Sequence, residues 1–231
     1  MKKINLLFCL IVLCNCTVAN RHNIGAEYLG TKYVLNPLGE GNAPDTDPLF
    51  RTDAFDCATF VETVLADGDL NKLNKIRYKD EKIDFLNRNH FIETDWLKNN
   101  NNIVQNISSE YGKTALRKAT IDKKSWAKKM YDINTDFKPE TIYLEYIPYS
   151  DATNIKTDKP LIVLFIVDNP SFHDKIGTDL AVIHMGFLLP NNILRHASRI
   201  KGRVVDEDFD KYINARKKKK TNVGIALLEI K

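Results

Sequence analysis

Asp56-Cys57-Ala58-Thr59-Phe60-Val61-Glu62-Thr63-Val64-Leu65 is the stretch on which the reading of this chain turns. Apolar residues fall at Cys57, Phe60, Val61, Val64 and Leu65, the one-face spacing of a helix that packs on a core. Asp56 offers an N-cap carboxylate and Gly68 a stop, so the helix begins at the cysteine. A thiol in a first helical turn meets unpaired backbone N–H groups and the positive end of the helix dipole. Both favour a thiolate, and the same N–H groups can hold an oxyanion during acyl transfer. Such a nucleophile needs a base, commonly histidine, and a third group that orients the imidazole.

The base is sought among five histidines. His184 interrupts the apolar run Leu180-Ala-Val-Ile-His-Met-Gly-Phe-Leu-Leu189, where a strand residue faces either core or cleft. His196 follows in Ile193-Leu194-Arg195-His196-Ala197-Ser198, after Asn191-Asn192, a turn signal that predicts a hairpin. Because side chains alternate along a strand, two histidines an even number of positions apart across a hairpin can share a face. That arrangement suits a base and its orienter, while a core histidine bonded to backbone is the structural alternative for His184. His22 and His173 read as solvated.

Working outward, Asn23–Tyr33 reads as a short helix stopped near Gly30, and residues 36–53, with three prolines and two glycines, as loop. Leu70–Tyr78 has helical character. Residues 99–138 are rich in Asn, Lys and Ser, with an amphipathic stretch near Trp126–Tyr131. Strand signals then dominate over Thr141–Ile147, Leu161–Val167, Leu180–Leu189 and Asn222–Ile230. Helices first and an antiparallel sheet afterwards predict an α+β fold.

A chain of 231 residues, 43% hydrophobic and 28% charged, describes one globular domain and excludes disorder, collagen and coiled coil. The net charge of +4 is too mild and too scattered to point to nucleic acid. Met1-Lys2-Lys3, an apolar run over Ile4–Leu13 and the small-residue end Thr17-Val18-Ala19 read as a secretory leader cut after Ala19. The run is too short for a permanent membrane span. Residues 20–231 are then a single domain, periplasmic or secreted, with no stable membrane anchor; lipid attachment at Cys16 is the rival. Cys9, Cys14 and Cys16 leave with the leader, so Cys57 is the one remaining thiol and no disulfide framework exists. A buried, inert thiol is its structural alternative.

In this order and spacing, Asp-Cys at a helix start, His-x-Gly-Phe on a strand and His-Ala-Ser twelve residues later resemble the NlpC-type papain-like cysteine hydrolases of bacterial cell walls. Further segments are similar to the N-acetylmuramoyl-L-alanine amidase-like branch: Tyr28-Leu29-Gly30-Thr31-Lys32-Tyr33, Arg88-Asn89-His90-Phe91 with Asp95-Trp96, and Tyr146-Ile147-Pro148. The likeness runs from about Ile24 to the C-terminus. It implies a papain-like fold, Cys57 as nucleophile, His184 as general base and acid, and His196 as the orienting third member. It also implies Tyr33 and Asp56 on the substrate side, with a core tyrosine and a helix cap as their structural readings. Lys32, Phe91 and Arg199 depart from the residues usual in that branch. The implied substrate is peptidoglycan or a muropeptide, cut between the lactyl group of N-acetylmuramic acid and L-alanine.

The alternatives are cleavage of the γ-D-glutamyl link to the diamino acid, an amide of protein or lipid, and peptidoglycan binding without turnover. No cofactor motif stands in the chain, so a cofactor-free enzyme is expected. Zinc held by Cys57, His184 and His196 is a further alternative, although neither His-Glu-x-x-His nor Cys-x-x-Cys occurs. Trp96 reads as core, and His90 as structural or substrate-side. The run Arg216-Lys-Lys-Lys-Lys220 reads as a solvated turn before the last strand, with attraction to anionic lipid or to peptidoglycan carboxylates as its functional counterpart.

Overall fold

The computed structural model describes residues 23–231. The leader over residues 1–19, the alternative at Cys16 and His22 lie outside the described residues. The helix read at Asn23–Tyr33 shrinks to one 3-10 turn, Ala26–Tyr28; Gly30 then takes φ 87° and the chain turns into strand β1, Lys32–Tyr33. After the loop come β2, Ala54–Phe55, and helix α1, Cys57–Leu65. Helix α2, Leu70–Arg77, follows, and Gly68 between them takes the left-handed φ of 66° that the turn requires.

Residues 99–138 hold more structure than their composition announces: β3, Val104–Asn106, β4, Ala115–Ile121, and α3, Lys123–Tyr131. The remaining elements are β5, Glu140–Pro148; β6, Leu161–Val167; α4, Ser171–Ile176; β7, Val182–Leu189; β8, Ile193–Ser198; β9, Arg203–Asp208; α5, Phe209–Lys217; and β10, Asn222–Ile230. One sheet runs in the order β2-β1-β9-β8-β7-β6-β10-β5-β4, with β3 also on β10. It is antiparallel except for β1 and β2, which pair in parallel. The fold is therefore mixed: strands precede the first helix, and α4 and α5 are inserted among the later strands.

The all-apolar β6 explains the layering. All seven of its residues are buried, and the first six alternate between two clusters. Ile162, Leu164 and Ile166 join the core capped by Phe60 and Val61 of α1, whereas Leu161, Val163 and Phe165 join the one capped by Phe209 and Ile213 of α5. A strand covered on both faces loses the polar alternation of a half-exposed one.

The loop over residues 36–53 is fixed by charge. The Leu38 carbonyl accepts from Arg77 at 3.2 Å and Arg88 at 2.9 Å; Arg77 pairs with Glu62 at 3.0 Å and Arg88 with Asp45 at 2.8 Å. Such buried groups are tolerated because each charge meets a partner.

Candidate active site

The α1 start is built as its sequence dictates. Asp56 Oδ1 accepts the Thr59 backbone N–H at 2.8 Å, and Thr59 Oγ1 accepts the Asp56 N–H at 2.9 Å, a reciprocal capping box. Asp56 Oδ2 accepts the Asn36 N–H at 3.1 Å, tying the loop to the helix. The carboxylate expected on the substrate side is thus occupied with capping, although Asp56 still borders a cavity between α1, α3 and the loop over residues 36–53.

Cys57 is partly buried and packs at the margin of the α1 core. The backbone N–H groups of Met185, Ala58 and Cys57 itself face its sulfur, so the peptide after His184 lies against the thiol. Burial, followed by the Asp56 charge, pushes the thiol up to about 12, against the lowering by those N–H groups. The helix start alone predicts a stabilised thiolate; desolvation outweighs it in the resting molecule.

His184 pairs with Phe165 across β6 and β7, beside a bulge at which the register slips, a device that re-aims a side chain. Pro190-Asn191-Asn192 closes the β7–β8 hairpin, both asparagines adopting left-handed φ (65° and 63°). Continuing the ladder sets His196 against Gly186. A Cβ there would lie 2.8 Å from both the Arg195 carbonyl oxygen and His196 Cβ, so only glycine lets the second imidazole approach the first. The two rings meet with His184 Nε2 and His196 Nδ1 2.7 Å apart.

A residue outside the sequence reading completes the line. Glu207 Oε2 on β9 accepts from His196 Nε2 at 2.8 Å. The carboxylate fixes the proton order: His196 carries hydrogen on Nε2, its Nδ1 is an acceptor, and His184 must donate from Nε2. His184 Nδ1 is left as a free lone pair, the state a general base requires. Burial, helped by His196 and Arg216, holds His184 well below the usual histidine range, so this imidazole is neutral at pH 7. The signal for Glu207 lay in the tight turn after Ser198, which pairs His196 with Val205 and puts Glu207 on the same sheet face, two residues on.

Tyr33 stands near Cys57 and Asp56; burial, then those two neighbours, push its phenol up to about 12. Tyr212 of α5, also unread in the sequence, packs its ring 5.1 Å from His196 and 5.1 Å from Phe165. Arg216 is not part of a solvated turn. It lies in the last turn of α5 with Cζ 5.7 Å from the Phe165 ring and 5.9 Å from Tyr212, its Nε buried. His173 is half-exposed and bonds Asp179 at 2.9 Å, Trp96 is fully buried core, and His90 donates from Nε2 to the Phe85 carbonyl at 2.7 Å. Among the described residues no three His, Cys, Asp or Glu side chains converge as a metal-ligand set, and none of the helices is long and apolar enough to cross a membrane.

Comparison with known proteins places this architecture among the amidase-like chains. A Legionella pneumophila protein of known structure superposes with a TM-score of 0.82 at 28% identity, over 92% of this chain and 89% of its own. Crystal structures of a Bacteroides uniformis N-acetylmuramoyl-L-alanine amidase give TM-scores of 0.71 at 23% identity (93% and 98% covered) and 0.68 at 25% identity (91% and 98%). No curated protein matches the chain. The model of the N-acetylmuramoyl-L-alanine amidase-like family matches residues 23–223, and the chain belongs to that family.

Proposed function

We propose that this protein is an exported, periplasmic or secreted cysteine amidase of papain-like, NlpC-type fold. It hydrolyses the amide between the lactyl group of N-acetylmuramic acid and L-alanine in peptidoglycan or muropeptides. The observation that carries this reading is the hydrogen-bonded line His184–His196–Glu207, on a strand whose next peptide N–H, at Met185, meets the Cys57 sulfur at a helix start. Family membership supports the bond, and the leader-like residues 1–19 support the compartment.

In the resting site both Cys57 and His184 are neutral. As Cys57 Sγ attacks the lactyl carbonyl carbon, His184 Nδ1 takes the thiol proton, and His196 with Glu207 steadies the imidazolium. Unpaired N–H groups at the start of α1 stabilise the oxyanion. Collapse of the tetrahedral adduct breaks the C–N bond; the proton on His184 passes to the departing L-alanyl nitrogen and a thioester remains on Cys57. Water then adds to the thioester carbonyl, giving its proton to His184, and the muramyl carboxylic acid leaves as the thiol is restored.

The test is mass spectrometry of defined muropeptides after incubation with the wild type and with Cys57→Ala. Free L-alanyl peptide plus N-acetylmuramic acid from the wild type alone is the expected result. New diamino-acid termini would reassign the enzyme to the γ-D-glutamyl link. Equal products in both samples would remove the cysteine from the mechanism, and no products would leave a different amide substrate or binding without turnover.

A further inference from the structure

The antiparallel ladders gather two turns at the end of the sheet where His184 sits. β7 begins there at Val182, beside the close of β6 at Val167; β8 ends there at Ser198, β9 starts at Arg203, and β10 starts at Asn222 opposite Val167. Two exposed, cation-rich turns are thereby set on either side of β7. One joins β8 to β9 and carries Arg199, Lys201 and Arg203, with Lys32 of β1 paired to Arg203. The other joins α5 to β10 and carries Lys217–Lys220; the Asp168 N–H after β6 donates to Thr221 O at 2.9 Å and ties that turn to the same end. We infer that this end of the molecule docks reversibly on a bilayer that carries anionic phospholipid.

Charge supplies the attraction. Lys32 and Lys201 hold loose pairs, 3.7 Å to Asp53 and 3.9 Å to Glu207, whereas Arg199, Arg203 and Lys217–Lys220 make none among the described residues. Nearby acids are already matched: Asp53 meets Arg51 at 2.7 Å and Asp168 meets Arg117 at 3.1 Å. In a chain of net charge +4, this end therefore holds a concentrated excess of cations. Such clusters are drawn to acidic headgroups, and a neutral surface gains nothing from them.

An apolar tip selects the bilayer over a soluble polyanion. Ile200 stands between Arg199 and Lys201 and is 91% exposed, the most of any large apolar side chain among the described residues. The turn is held in place: Tyr33 N–H donates to Gly202 O at 2.8 Å and Lys201 N–H to Ser198 Oγ at 3.3 Å. Exposed Leu29 and Leu35 flank β1, the strand paired to the end of this turn. An aliphatic side chain held out in water between two cations meets complementary surroundings where headgroup phosphates overlie acyl chains. Tyr33, which stands near Cys57, links the turn to the site, so docking brings the thiol to the membrane surface.

Residues 20–231, which contain every described element, are sedimented with vesicles of phosphatidylcholine alone or with about one-third phosphatidylglycerol. Binding to the anionic vesicles at about 0.05 M salt, lost at about 0.5 M and absent with phosphatidylcholine alone, is the expected result. Replacing both Arg199 and Arg203 by Gln should weaken it about 25-fold, roughly fivefold per cation. Lys156→Gln, in the loop that enters β6 at the opposite end of the sheet, should leave it unchanged. Ile200→Ser should weaken it about tenfold at an unchanged Tm. Equal binding to both vesicles, or a loss in Lys156→Gln as large as that per arginine, overturns the docking surface. Charge effects that persist while Ile200→Ser binds as the wild type does would overturn the bilayer in favour of a soluble anionic polymer. Binding is scored without turnover, so this inference and the amidase reading fail separately: a protein that sediments without cleaving keeps the surface, and one that cleaves without sedimenting loses it.

Discussion

Replacing Glu93 by Gln tests how the fold holds the strand that carries His184. Glu93 lies in a π-helical turn, Ile92–Trp96, and its Oε1 accepts the Ala181 N–H at 2.6 Å, one residue before β7 begins. It is 6% exposed, and Oε2 is buried without a partner among the described residues. Burial, resisted by the backbone N–H groups at Ala181, Glu93 and Val182, raises its carboxyl from 4.5 to about 7. The folded state then binds more protons than the unfolded chain between those values, so stability is fully present below pH 4.5 and is lost as pH rises through 7. At 1.36 kcal/mol per pH unit, the loss amounts to about 3 kcal/mol. Gln keeps the carbonyl acceptor and cannot ionise. Urea unfolding of both proteins from pH 4 to pH 8 should show Glu93→Gln gaining about 3 kcal/mol on the wild type across that interval. Parallel stability curves would refute the reasoning.

Three other substitutions probe the site. Gly186→Ala forces a Cβ to within 2.8 Å of Arg195 O and His196 Cβ; overpacking against backbone should cost about 1–3 kcal/mol, read as a lower Tm together with lost activity, and an unchanged Tm would contradict the tight approach. Glu207→Gln weakens a charge-assisted bond worth about 1.5–3 kcal/mol, so kcat should fall roughly 10- to 100-fold with KM little changed; a fall in Tm without loss of kcat would make the residue structural. Arg216→Met removes the cation near His184 and His196 and should raise the His184 pKa, moving the acid limb of the kcat/KM profile to higher pH. Tyr212, Phe165 and Glu207 remain in place around the pair, so an unmoved limb would show that burial alone holds the imidazole neutral.

Much of this arrangement was legible because local rules and tertiary structure agree. The spacing at Cys57, Phe60, Val61 and Val64 gave α1, with Asp56 as its cap; the Asn-Asn turn gave the hairpin; the unbroken run over Leu161–Val167 gave the buried central strand. Strand β4 was hidden because it alternates at a sheet edge, with Leu116 64% exposed and Lys and Arg among its residues. Helix α5 was hidden because only Phe209 and Ile213 are fully buried in a Lys-rich segment, while the rest of its inward face, Tyr212 and Arg216, is polar. Glu207 stands in an acidic stretch that looks solvated, and its role exists only through the β8–β9 register. The thiol moved against expectation because the helix start is short-ranged, whereas burial depends on how α1 meets β7.

The most direct test of the account traps the acyl-enzyme. The protein is mixed with excess N-acetylmuramoyl-L-alanyl peptide, quenched in acid within the first turnovers, digested and examined by mass spectrometry. A muramyl acyl group on the peptide that contains Cys57, appearing with free L-alanyl peptide and absent from Cys57→Ala, is the predicted result. Release of the same peptide by Cys57→Ala, or an acyl group carried on any other residue, would contradict it.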